Sequence, residues 1–139
     1  MSWFLWSVLT ALVWGCVPPL EKVGLSKIDP LTGLFFRCVG VLIGIVMLYV
    51  WKSRDIRASL ANPPPGIAFL VLGGFLASVV GQVFFYHALK SGEASKVVPL
   101  AAAYPLISFI LGVLFLGEEI TLLKTGGLFC ILAGVVLLK

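Results

Sequence analysis

Glu21, Gln82, Tyr86 and Tyr104 are polar side chains set in otherwise apolar stretches, and Trp14 lies two helical turns ahead of Glu21. These types have a shared use. A carboxylate drawn into a low-dielectric setting can take up and release a proton. An amide deep in an apolar run needs either a partner or a ligand. Phenol and indole rings offer an apolar face together with a hydrogen-bonding edge. The chemistry is that of holding a small solute and moving a proton with it. Bond-breaking chemistry has no counterpart here. There is no serine–histidine constellation, no pair of intramembrane aspartates and no metal-ligand spacing, so an intramembrane enzyme, a bound metal and any other cofactor are not expected.

The residues come in stripes. In "WGCVPPLEKVG" (residues 14–24), two prolines and a Glu-Lys pair end a run that carries no charge from residue 2 to residue 20. Ser7, Thr10, Trp14, Pro18 and Glu21 recur every three or four positions and so share one helix face. Pro18 and Pro19 cannot donate to the carbonyls of Trp14 and Gly15. Such carbonyls are costly against lipid and tolerable beside protein or a water-filled cavity. The stripe therefore reads either as the wall of a transport pathway, broken by the prolines, or as a kinked packing helix whose Glu21 and Lys22 mark its end in the headgroups. Glu21 is the candidate coupling residue under the first reading.

Two further faces match it. Ser78, Gln82, Phe85 or Tyr86, and Leu89 form one; Ala101, Tyr104, Pro105, Ser108 and Gly112 form the other. Gln82 is either ligand-facing or glue between helices. Tyr86 and Tyr104 face either a ligand or the membrane interface. The candidate substrate-binding set is thus Trp14, Gln82, Tyr86 and Tyr104, with Pro18, Pro19 and Pro105 as helix breaks. His87 lies off the Gln82 stripe and reads as a packing or interfacial residue. Arg37, about 9 Å into its helix at the rise of 1.5 Å per residue, is expected to snorkel.

These side chains need elements to position them, and the composition says which. The 139 residues are 60% hydrophobic and 12% charged, against roughly 25% charged in a soluble domain. The chain is an integral membrane protein, and its net charge of +4 lies scattered between apolar runs, not in a nucleic-acid patch. Five runs are long enough to cross a bilayer as helices. They lie near 3–22, 31–51, 65–89, 95–116 and 121–138, joined by the short connections "KVGLSKIDP", "KSRDIRASLANPPP", "KSGEAS" and "GEEI". The fold class is all-α: one transmembrane domain over 1–139, multi-pass, in the cell (inner or plasma) membrane, with no cleavable signal peptide expected. Pro63 to Pro65 mark the start of the third span, and Gly92 and Gly117 close the third and fourth. Cys16, Cys38 and Cys130 sit in separate runs and read as small packing residues. Small residues at four-residue spacing, such as Gly73, Ala77 and Gly81, allow close helix approach.

The charges do not choose an orientation. Lys52, Arg54, Arg57 and Lys124 fall on one side of the membrane. Lys22, Lys27, Lys90, Lys96 and Lys139 fall on the other, with Arg37 just inside the second span. Either a few of these residues dominate, or the chain inserts both ways.

With these residues laid out, the chain resembles one EamA domain of the drug/metabolite transporter superfamily. The matching pieces are "LVWGCVPPLEK", "DPLTGLFFRCVGVLIG", "GQVFFYHALKSGEASKVVPLAAAYPLISFILGVLFLGEEIT" and "GGLFCILAGVVLL". Together they cover nearly the whole chain, as in the short five-helix bacterial and archaeal branch; most members carry two such domains. Glu21 beside Lys22 and the Pro18–Pro19 pair depart from the usual pattern. The resemblance implies two five-helix halves of opposite topology around a central cavity, and substrates that are small metabolites, amino acids or related compounds. The expectation is a small-metabolite transporter working by alternating access as a dimer, either an antiparallel homodimer or a pair with a paralogous partner, and proton-coupled through Glu21. The competing expectation is a non-transporting membrane subunit that stabilises a larger complex.

Overall fold

In the computed structural model, which describes residues 2–138, every regular element is helical. Lys139, counted above in the charge balance, lies outside the described residues. The elements are α1 (Trp3–Gly24), α2 (Pro30–Trp51), α3 (Ser53–Ala61), α4 (Ile67–Phe75), a π-helical turn (Leu76–Val80), α5 (Gly81–Ser91), α6 (Ala94–Ala101), α7 (Tyr104–Leu116) and α8 (Leu122–Leu137).

Among the described residues, four stretches have the length and composition to cross a membrane: Trp3–Gly24, Pro30–Trp51, Ile67–Ser91 and Ala94–Leu116, with Leu122–Leu137 as a shorter apolar helix. At 22 residues, α1 is about 33 Å long, enough for a hydrocarbon core of about 30 Å. The distribution of side chains is that of a lipid-facing protein. Among the described residues the buried apolar side chains are Leu25, Leu34, Tyr86 and Leu89, whereas Phe69, Leu70, Phe115, Leu122 and Leu123 lie largely exposed.

The chain divides into two units. The first comprises residues 1–19 and 91–139, the second residues 20–90. Within the first, Gly117 closes α7 in the left-handed conformation, φ 66°, where a residue lacking Cβ carries no steric penalty. The backbone N–H of Glu118 then reaches the Gly112 carbonyl at 3.2 Å, and its carboxyl group lies over the bare Gly112 Cα. Thr121 caps α8 by accepting from the Lys124 N–H at 3.3 Å.

Within the second unit, Asp29 caps α2 by accepting from the N–H groups of Leu31 and Thr32, each at 3.1 Å, and Pro30 fills the first helical position. Hydrogen bonds from the Thr32 side chain first, then from its backbone, hold the exposed Asp29 carboxyl below its ordinary range. The connection "KSRDIRASLANPPP" is not irregular throughout. It contains α3, a short polar helix that sets the Arg57 Nε 3.1 Å from the Tyr49 hydroxyl of α2 and pairs Lys52 with Asp55 at 3.3 Å.

Several expectations need correction. Pro63 to Pro65 precede the third span, which begins at Ile67 behind Gly66. Pro18 and Pro19, expected to break the first span, lie within an unbroken helix that runs from Trp3 to Gly24. Their effect is the loss of two N–H donors within a continuous helix. Interruptions occur elsewhere. The fourth span is two helices parted at Ala102–Ala103, with Pro105 in the first turn of α7, where it withholds a donor from the Ala101 carbonyl. The third span is interrupted without any proline, by the π-turn.

Candidate functional site

The end of α1, the start of α2 and the α5 half of the third span converge on one carboxylate. Glu21 Oε1 accepts from the Tyr86 hydroxyl at 2.8 Å and from Arg37 Nε at 3.3 Å. The Glu21 side chain is 11% exposed and that of Arg37 26%. The guanidinium reaches further: Arg37 Nη1 donates to the backbone carbonyl of Ser78, within the π-turn, at 3.3 Å. One planar cation thus ties a carboxylate of α1 to the backbone of the third span, a two-ended reach that the fork of arginine allows.

A charge pair in this setting is expensive to desolvate and stays stable only with close partners. Tyr86 supplies the third. It is 3% exposed. A Cβ on Gly33 would meet Leu25 Cδ2 at 2.6 Å and the Tyr86 ring at 3.6 Å, so a glycine at that position lets α2 press against both. Two lysines hold the same end of the unit together. Lys22 Nζ donates to the Leu89 carbonyl, at the close of α5. Lys90 Nζ donates to the carbonyls of Leu25, Ser26 and Ile28 in the α1–α2 connection. Cations there meet the negative ends of α1 and α5.

Beside the carboxylate is a cavity of about 320 Å³. Its polar wall is Glu21, Arg37 and Tyr86, and its apolar wall includes Leu20, Leu25, Ile28 and Phe36. Gln82, one turn from both Ser78 and Tyr86 on the same face, leaves its Oε1 buried with no hydrogen-bond partner. A buried acceptor left unpaired costs about 1–3 kcal/mol.

The residues singled out from sequence fall in different places. Glu21, Gln82 and Tyr86 belong to the second unit, and Glu21 and Tyr86 are bonded to each other. Trp14 and Tyr104 belong to the first unit and are 63% and 56% exposed. On the α1 stripe the Ser7 and Thr10 hydroxyls donate back to the carbonyls of Trp3 and Trp6 at 3.0 and 2.9 Å, so both are satisfied within their own helix. His87 Nδ1 lies 2.7 Å from the Val83 carbonyl. Arg37, expected to snorkel, pairs with Glu21. The sequence shows an acid and a base in two apolar runs, each in need of a partner, but not that they meet. Lys22 likewise bonds to a carbonyl and is more than a marker of the helix end.

The model of the EamA-like transporter family matches residues 1–139. An uncharacterized transporter encoded in the cobO 3' region of a Sinorhizobium species is 31% identical over 137 residues, covering 99% of this chain and 96% of that one. An uncharacterized protein of Methanocaldococcus jannaschii is 28% identical over 132 residues, 95% of this chain and 92% of its own. The uncharacterized transporter YvbV of Bacillus subtilis is 34% identical over 123 residues, which are 86% of this chain but 38% of the longer one. No solved structure matches.

Proposed function

The chain belongs to the EamA-like transporter family, and from that premise we propose that it carries a small polar metabolite across the cell membrane by alternating access, with Glu21 as the proton-carrying group. The observation that carries this reading is the sharing of one Glu21 oxygen by Arg37 and Tyr86 at the wall of a cavity. An ionised Glu21 fastens the end of α1 to α2 and α5. A protonated Glu21 has no ion pair to offer Arg37, and α1 is then free to part from its neighbours. Solute binding near Gln82 and Tyr86 selects between the two conditions. The cavity's mixture of one charged wall and apolar remainder suits a small solute with both kinds of surface.

The working unit is a dimer. Its support is length and charge. The chain spans nearly all of its short relatives but 38% of the Bacillus transporter, as half of a two-part molecule would. The near balance of Lys and Arg across the spans permits two copies to insert in opposite senses and so supply the inverted halves.

The test is counterflow in proteoliposomes holding the purified chain alone, with a panel of labelled amino acids and small metabolites. Exchange above that of empty vesicles supports the reading. Exchange only after a paralogous short chain is added replaces the homodimer with a heterodimer, and no exchange in either case favours a non-transporting subunit.

A further inference from the structure

We infer that Arg37 is a positioning residue that couples the protonation of Glu21 to the helical register of the third span. The inference rests on the transport reading above, and begins from a peculiarity of that span. Between α4 and α5 the chain passes through five residues of π-helix, Leu76–Val80. A π-turn accommodates an extra residue, is rare, and is found frequently at functional sites. This one closes with the Gly81 N–H bonded to the Leu76 carbonyl, five residues back.

Three further features belong to that turn. Gly81 has no Cβ, and one placed there would lie 3.2 Å from the Leu76 oxygen; any larger residue crowds the wide turn. Arg37 Nη1 bonds to the Ser78 carbonyl from the side. Gln82, the next residue after Gly81, has its buried Oε1 unpartnered. The wide turn and the orphaned amide are both unfavourable. Arg37 offsets them, and Arg37 is itself held in place by Glu21.

The consequence follows from helix geometry. Relaxing the π-turn to α-helix adds one α residue to the path, which turns α5 by about 100° and advances it about 1.5 Å. Gln82 and Tyr86 swing with it, taking the phenol off Glu21 and re-aiming the amide. Protonation of Glu21 removes the ion pair that fixes the guanidinium, Arg37 releases the Ser78 carbonyl, and the register changes. The charged or titratable groups around the carboxylate are Arg37 and Cys38 of α2, Tyr86 and Lys90 of α5, and Lys22 of its own helix. Lys22 and Lys90 bond to backbone carbonyls, and Arg37 pairs with Glu21.

The experiment is a distance between spin labels on the exposed Leu70 of α4 and Phe84 of α5, in the full chain with Cys16, Cys38 and Cys130 replaced by serine. A turn of about 100° carries a side chain at the helix surface through roughly 8 Å. The parent is expected to show one distance at high pH and a second, about 2–4 Å different, at low pH, because the labels are already about 20 Å apart along the helix. Glu21→Gln, Arg37→Gln, Arg37→Lys and Gly81→Ala should all show the second distance at every pH. Arg37→Lys is the telling variant, because it keeps the positive charge but cannot hold Glu21 and Ser78 together; a merely charge-balancing Arg37 would leave it like the parent. Gly81→Ala leaves the ion pair untouched and acts on the turn alone. A single parental distance at all pH values overturns the inference, as does an Arg37→Lys protein that switches like the parent. Counterflow separates the two proposals. Transport with a fixed distance refutes the register change alone, and a switching distance without transport refutes the transport reading alone.

Discussion

Replacing Tyr86 with phenylalanine removes one oxygen and keeps a ring that is 3% exposed, so its effect reports the bond to Glu21 and little else. Hydrogen bonds between transmembrane helices average only about 0.6 kcal/mol. This one differs in three ways: the acceptor is a carboxylate, the separation is 2.8 Å, and the acceptor side chain is 11% exposed. Bonds to charged groups are worth about 1.5–3 kcal/mol. A coupling energy near 2 kcal/mol is therefore expected, roughly a thirtyfold change in the unfolding equilibrium. The assay is a double-mutant cycle of parent, Tyr86→Phe, Glu21→Ala and the double variant, unfolded in mixed micelles at pH 8. The cycle cancels the cost of leaving Arg37 unpaired, which both Glu21→Ala proteins share. A coupling energy below about 0.5 kcal/mol would refute the claim that Tyr86 and Glu21 form one unit.

Three further outcomes are expected. Gln82→Leu should fold as well as the parent or better in the same unfolding assay, because it removes a buried unpaired acceptor worth about 1–3 kcal/mol, while lowering transport. Pro18→Ala with Pro19→Ala should raise stability, since α1 is already helical through both positions and interior proline costs about 3 kcal/mol against alanine; a loss of transport at raised stability marks the missing hydrogen bonds as functional. Asp29 has its carboxyl held low by Thr32, so its contribution to stability is complete above the ordinary carboxylate range and is lost as pH falls through the lowered folded value. An unfolding titration should show that acid-side loss in the parent and not in Asp29→Ala.

Much of the architecture was legible because it depends on local features. Charge-free runs located the spans, and Gly117 announced its own left-handed turn. The interruptions were harder. Proline is the obvious sign of a break, yet α1 continues through Pro18 and Pro19, where neighbouring turns keep the helix despite two missing donors. The π-turn has no proline. What marks it is a glycine bonded to a carbonyl five residues back and an arginine reaching it from another helix, and no sequence pattern displays the second. The site divides in the same manner. Glu21 and Gln82 stood out as isolated polar groups in apolar runs. The partnership of Glu21 with Arg37, sixteen residues on, depends on how α1 and α2 are rotated about their axes, and helical periodicity alone leaves that rotation open. Lys22 and Lys90 read as interfacial charges because their partners are backbone carbonyls, which no sequence pattern displays.

Proton movement is the measurement closest to the central claim. Proteoliposomes containing the purified chain and an internal pH dye are given a solute identified by counterflow, with no pH gradient at the start. Parent protein is expected to move protons in step with the solute. Glu21→Gln should exchange labelled for unlabelled solute but move no protons, because the group that carries them is gone while α1 stays free to part from its neighbours. Solute-dependent proton movement by Glu21→Gln at the parental rate would contradict the account and leave the Glu21–Arg37–Tyr86 cluster as a structural clasp.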